Sequence, residues 1–152
     1  MEMDKLIDKF EVLAMEATND LPLEYLKVDC KLEHRFTPKL YSREITMPAG
    51  ILVTSETHKT EHQFILSKGI VSVWTEEEGE VFIVAPYHGI TKPGTRRILF
   101  IHEEAIWTTF HSTLKNTVEE VREDIIEKYE NPFIHGHYIN NTFVPQEKQL
   151  VN

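Results

Sequence analysis

MPAGILVTSETHKTEHQFILSKG, residues 47–69, reads as two β-strands joined by a tight connection. Strand alternation puts Leu52, Thr54, Glu56 and His58 on one face of the first strand, and His62, Phe64 and Leu66 on one face of the second. If both faces look into one barrel, Glu56, His58 and His62 converge across the hairpin, and a carboxylate with two imidazoles suits a divalent metal ion. A slip of one residue would turn all three outward, so the register of this hairpin carries the functional expectation.

On either side the pattern remains strand-like. Residues 28–36 alternate, Thr37-Pro38 interrupts, and LYSREITM at 40–47 resumes. Beyond the hairpin, Gly69 breaks the chain before GIVSVWT. The acidic turn of Glu76, Glu77, Glu78 and Gly79 leads to EVFIVA, with Val81, Ile83 and Ala85 opposite Phe82 and Val84. PYHGITKPG, residues 86–94, is rich in turn formers and reads as a loop. RRILFIH and AIWTTFH then read as two strands separated by Glu103 and Glu104. Short strands at intervals of roughly ten residues, without intervening helices, indicate an antiparallel sandwich or barrel over about residues 28–111.

The flanks are helical in pattern. Met3, Leu6, Ile7, Phe10, Leu13, Ala14 and Ala17 form one apolar stripe over about residues 3–18. Val118, Val121, Ile125, Ile126 and Tyr129 do so over residues 117–129, with Thr117 and Glu120 spaced as a capping box and Asn116 as an alternative cap. The aromatic-rich tail after Pro132 has no period. Each flank is too short for a core of its own, so residues 1–152 are expected to form one domain.

Composition narrows the function. The 152 residues are 41% hydrophobic, and 25 acidic against 16 basic residues give a formal net charge of -9. That balance argues against general binding to nucleic acid or an anionic membrane surface, which needs clustered Lys and Arg. With Cys30 as its single cysteine, the chain cannot form an intrachain disulfide. There is no apolar run of membrane-spanning length and no secretory pattern at the start, so a cytoplasmic protein is expected. Nucleophile-elbow, phosphate-loop and dinucleotide motifs are absent from the sequence.

ETHKTEH followed after six residues by Gly69 resembles the first motif of the cupin superfamily, with its ligand types permuted: Glu56 and His58 in the places of two histidines, His62 in the place of a glutamate. The run from LYSREITMPAG to WTTFH, including HKTEH, TKPGTRR and IHEE, is similar to small cupin-like proteins found in tailed-phage genomes, whose function is generally unassigned. The resemblance implies a mainly β fold: a double-stranded β-helix, or jelly-roll barrel, with an N-terminal and a C-terminal helix outside it. It also implies a divalent metal held by Glu56, His58 and His62, pairing into a homodimer, and action in the host cytoplasm.

Where the second cupin motif has a histidine after its proline and glycine turn, KPGTRR leads to Arg97. A guanidinium has no lone pair for a metal. It is suited instead to a carboxylate or phosphate, so a small anionic molecule is the expected partner. Arg97, Tyr87, Trp107 and His111 are the expected ligand-binding residues, and His111 is a candidate for a further metal donor. His135 and His137 have ligand-pair spacing if the tail is extended. These features favour a small-molecule or metal-binding protein; the alternatives are a metal-dependent oxygenase or isomerase, and a virion or assembly component.

Overall fold

The computed structural model of the chain describes Cys30–Glu127 and the backbone of two short strands beyond it. Lys31–Glu127 form one compact unit. In the other, which comprises Met1–Cys30 and Lys128–Asn152, the described parts are Cys30 and an antiparallel pair of strands, His137–Ile139 against Thr142–Val144. The helix expected over residues 3–18 and the end of the one expected over 117–129 lie outside the described residues.

Alternation builds the sheet of the first unit. Its strands are β1 (Lys31–Thr37), β2 (Leu40–Met47), β3 (Leu52–Thr54), β4 (His62–Thr75), β5 (Gly79–Val84), β6 (Tyr87–Thr91) and β7 (Ile98–Ser112). All pairings are antiparallel, in the order β1-β2-β7-β4-β5, with β3 added to β7 and β6 to β4. The two long strands, β4 and β7, each change partners midway. Their first shared section carries β2 and β6 on its outer sides, and the second carries β3 and β5. This is the mainly β, jelly-roll type of fold that the sequence implied.

Each section buries one face. Tyr41, Met47, Phe64, Leu66, Ala105 and Trp107 are buried in the first, and Val71, Val73, Ile83, Leu99 and Ile101 in the second. Phe82 and Val84 point outward, as the alternation of EVFIVA required.

The stretch 47–69 is not the hairpin the sequence suggested: β3 ends at Thr54, β4 begins at His62, and each pairs with β7 and not with the other. Three boundaries also differ from the sequence reading. Gly69 bends β4 without ending it: its φ of +97° is open to a residue without Cβ, and the ladder to β7 shifts register between Leu66 and Val71. Opposite the bend, Glu103 and Glu104 are exposed inside one continuous β7, where they had marked a gap between two strands. PYHGITKPG contains strand β6, because Gly89 fits directly against the Phe64 ring.

The helix α1 (Val118–Ile125) begins where the capping box placed it. The Thr117 hydroxyl accepts from the Glu120 amide at 3.3 Å and donates to the Glu120 carboxylate at 3.1 Å. Val121 and Ile125 pack on Tyr41, and Ile126 leaves the helix in an extended conformation. Among the described residues, no helix is long and apolar enough to cross a membrane.

A Cβ at position 69 would lie 2.3 Å from the Glu104 carbonyl oxygen and 2.7 Å from Ala105 Cα, both backbone atoms that cannot step aside. Gly69→Ala is therefore expected to cost roughly 3 kcal/mol or more of unfolding free energy, from the strained φ together with the overlap. Urea unfolding of the variant checks this; an unchanged midpoint would refute the account of the bend.

Candidate metal centre

His62 opens β4 and His111 lies near the end of β7, on the same buried face and at the same end of the ladder. Their ring centroids are 4.4 Å apart. His58 arrives from the connection between β3 and β4, its ring parallel to that of His111 at 5.6 Å and 4.5 Å from that of His62. One nitrogen from each of the three lies within 4.8 Å of the others.

Two details fit these imidazoles to a metal ion. His62 Nδ1 is 3.1 Å from the Thr60 carbonyl oxygen, which can only accept. The proton therefore sits on Nδ1, and Nε2 keeps its lone pair. His111 Nε2 is 2.9 Å from the Thr109 hydroxyl, while its Nδ1 is buried without a hydrogen-bond partner. A buried polar atom left unpaired is costly, and a bound cation would satisfy it.

The electrostatics agree. Burial, then the neighbouring imidazoles His62 and His111, then Arg43 and Arg97, push His58 down to about 3. Burial, His62 and Arg43 push His111 down to about 3 as well. His62 is lowered chiefly by burial, with the Thr60 carbonyl opposing. All three are neutral at pH 7, the state in which imidazole ligates a metal.

Glu56, expected beside His58 and His62, is placed differently. Arg122 Nη2 on α1 donates to both of its carboxylate oxygens at 2.8 Å. The face shared by Glu56 and His58 existed only if the strand continued to residue 58. Because β3 ends at Thr54, alternation no longer relates their side chains. The third member of the group is His111, which the sequence had singled out as a ligand-binding residue and a candidate for a further metal donor.

Next to the imidazoles, Arg97 extends over an aromatic floor. Its Cζ is 5.3 Å from the centroid of Phe64 and 5.9 Å from that of Trp107, and these two rings stack at 4.3 Å and 7°. Nη2 donates to the Thr91 hydroxyl at 2.9 Å, and the Arg97 amide donates to Ser55 Oγ at 2.8 Å. Among the described residues no carboxylate pairs with this guanidinium, and burial pushes its pKa down from the usual value. Its neighbour Arg96 is buried, with Nε donating to the Ser55 carbonyl at 3.2 Å. Tyr87, at the start of β6, lies 6.0 Å from Phe64 and is partly exposed. The four expected ligand-binding residues thus fall in one region, with Arg97, Tyr87 and Trp107 around Phe64 and His111 beside the other imidazoles.

Sequence reading passed over Thr91, Gly89 and Arg122. Thr91 and Gly89 belong to the unrecognised strand β6, and Arg122 lies outside the apolar stripe of α1. His102 bonds Ser72 Oγ at 2.6 Å, away from the centre, and the side chains of His135 and His137 lie outside the described residues.

No family model matches the chain, and no curated protein matches it. Among solved structures, it is similar to VPA0057 from Vibrio parahaemolyticus, a protein of unknown function, at 12% identity over 54% of this chain and 86% of that one, with a TM-score of 0.48. It is similar to a cupin-2 domain containing protein from Shewanella frigidimarina at 12% identity, covering 55% and 80%, with a TM-score of 0.45. For KdgF from Halomonas sp. the identity is 11%, the coverage 57% and 83%, and the TM-score 0.48.

In the metal-free protein, burial and the neighbouring charges push His58 and His111 down to about 3 when folded, against the ordinary imidazole value of 6.5 when unfolded. Between those values the unfolded state binds more protons. The stability these groups contribute is complete above about 6.5 and is lost as pH falls toward 3. Each can steepen the loss by up to about 1.4 kcal/mol per pH unit. Urea midpoints of chelator-treated protein should therefore fall between pH 7.5 and 5.0, and less steeply in His111→Gln; equal slopes for the two proteins would contradict the assignment.

Proposed function

We propose that this chain is a cupin-like protein that binds a divalent metal ion through His58, His62 and His111 and takes a small anionic molecule beside it, with Arg97 as the anion contact. The observation that carries this reading is the group of three neutral, largely buried imidazoles with donor atoms within 4.8 Å, one of them holding a nitrogen without a partner. Three nitrogen donors leave coordination positions for an outside ligand. Because all three are neutral, they leave the charge of the ion uncompensated.

An anionic ligand would complete the charge balance. Glu56 is engaged by Arg122, and the nearby guanidinium of Arg97 rests on two aromatic faces and a hydroxyl with no carboxylate among the described residues. Arginine offers a planar fork to a carboxylate or phosphate. Tyr87 and Trp107 supply apolar wall on the same side. When bound, the metal would act as a Lewis acid toward the coordinated oxygen of such a ligand.

A metal-dependent enzyme is the second reading, favoured by the same open coordination. The two differ in whether the anion is converted, not in how it is held.

Protein prepared without chelator or an affinity metal column is expected to carry about one divalent metal per chain by elemental analysis and native mass spectrometry. His111→Ala should weaken Zn2+ binding by at least about 100-fold, since a ligand and not merely its support is removed. In calorimetric titrations of the metal-loaded protein with oxalate and inorganic phosphate, Arg97→Ala should keep the metal and lose about 10- to 100-fold in anion affinity, the worth of one charged hydrogen bond. Full anion affinity in that variant would remove Arg97 from the site.

A further inference from the structure

We propose that Arg122, acting through Glu56, is a positioning residue of the metal centre: helix α1 holds the His58 segment where the other two imidazoles need it. This inference rests on reading His58, His62 and His111 as metal ligands.

The three imidazoles are supported unequally. His62 and His111 belong to long strands that pair with each other, and the sheet fixes their positions. His58 sits between Thr54, where β3 ends, and His62, where β4 begins. Its segment is tied at Ser55 to Arg96 and Arg97, and from Glu56 to Lys59 it is tied to the helix end. Arg122 grips Glu56; the Glu127 amide donates to the Thr57 carbonyl at 2.9 Å; the Lys59 amide donates to the Ile125 carbonyl at 2.7 Å. His58 and Ile126 form an isolated antiparallel bridge, and Lys59 Nζ donates to the Glu123 carbonyl at 2.8 Å. On its other side, the His58 carbonyl accepts from the Gly94 amide at 2.8 Å.

The helix end thus acts as a short additional strand against residues 57–59. Glu56 is the side chain that locks it in place from two residues before that bridge. A ligand displaced by even a fraction of an ångström binds a metal poorly, so groups that orient ligands commonly govern affinity without touching the ion. Coupling of this kind is reciprocal: if α1 docking favours metal binding, metal binding must strengthen α1 docking by the same factor.

The test uses the full chain and the metal alone. Affinity for Co2+ is measured by competition with a chromophoric chelator, and the Co2+ absorption bands report the donor set. Glu56→Gln and Arg122→Gln should each weaken Co2+ binding by about 10- to 100-fold with unchanged band positions, because the three nitrogens remain. The double variant should be no weaker than either single one. The swapped pair, Glu56→Arg with Arg122→Glu, should recover part of the loss, as should Arg122→Lys alone.

Hydrogen exchange in the unsubstituted protein provides a check that does not require any variant to fold. Co2+ should slow exchange at the amides of Lys59, Ile126 and Glu127. Wild-type affinity in a folded Arg122→Gln would overturn the proposal, as would exchange at those amides that ignores the metal. Shifted Co2+ bands in Glu56→Gln would overturn it in favour of Glu56 as a direct ligand. Failure of the unsubstituted protein to bind Co2+ or Zn2+ would instead overturn the metal-centre reading on which the proposal stands.

Discussion

The pairing of β4 with β7 along nearly their whole length is the constraint from which the rest of the unit follows. A long antiparallel ladder can serve two sets of neighbours only if it bends, and the bend is made where Gly69 passes against the backbone of Glu104 and Ala105. On one side of it the ladder carries β3 and β5; on the other it carries β2 and β6 and brings His62 beside His111. By the same alternation Phe64, two residues from His62, stacks on Trp107, four residues from His111. The floor under Arg97 and the imidazoles beside it are therefore successive rungs of one structure.

Charge is distributed unevenly between outside and inside. The chain as a whole is acidic, with a formal net charge of -9. Near the imidazoles the pattern reverses: Arg43, opposite Thr109 on β2, and Arg97 both depress the histidines, and Glu56 is already neutralised by Arg122. Removal from water weakens the charged form of each histidine and lowers the dielectric in which the two arginines act. Both effects keep imidazole lone pairs available and raise the worth of negative charge brought in from outside.

The sequence displayed whatever depends on uninterrupted alternation or on a local cap. The face of His62, Phe64 and Leu66, the outward Phe82 and Val84, and the Thr117 box were all legible for that reason. Strand β6 was hidden because Pro86, Gly89 and Pro93 look like turn formers; Gly89 is small because a ring lies where its Cβ would be. The continuity of β7 was hidden because two exposed glutamates at a bend resemble a gap. Glu56 was placed with the metal because alternation was carried past Thr54, where the strand stops, and the partner that takes its carboxylate lies 66 residues further along the chain. Contacts at such separation leave no local pattern to read.

The bridge between His58 and Ile126 also bears on the order in which the molecule is assembled. All three imidazoles have been synthesised once the chain reaches residue 111, but the brace on the first of them is not made until residues 122–127 exist. Closing such a span costs more chain entropy than forming a helix or a hairpin, and that cost precedes the contacts that repay it. A nascent chain stopped short of the helix would own every donor atom yet hold one of them on an unbraced connection. Completion of the three-histidine group is thereby tied to completion of the fold around it, so on the proposed reading metal affinity would report that the unit has closed.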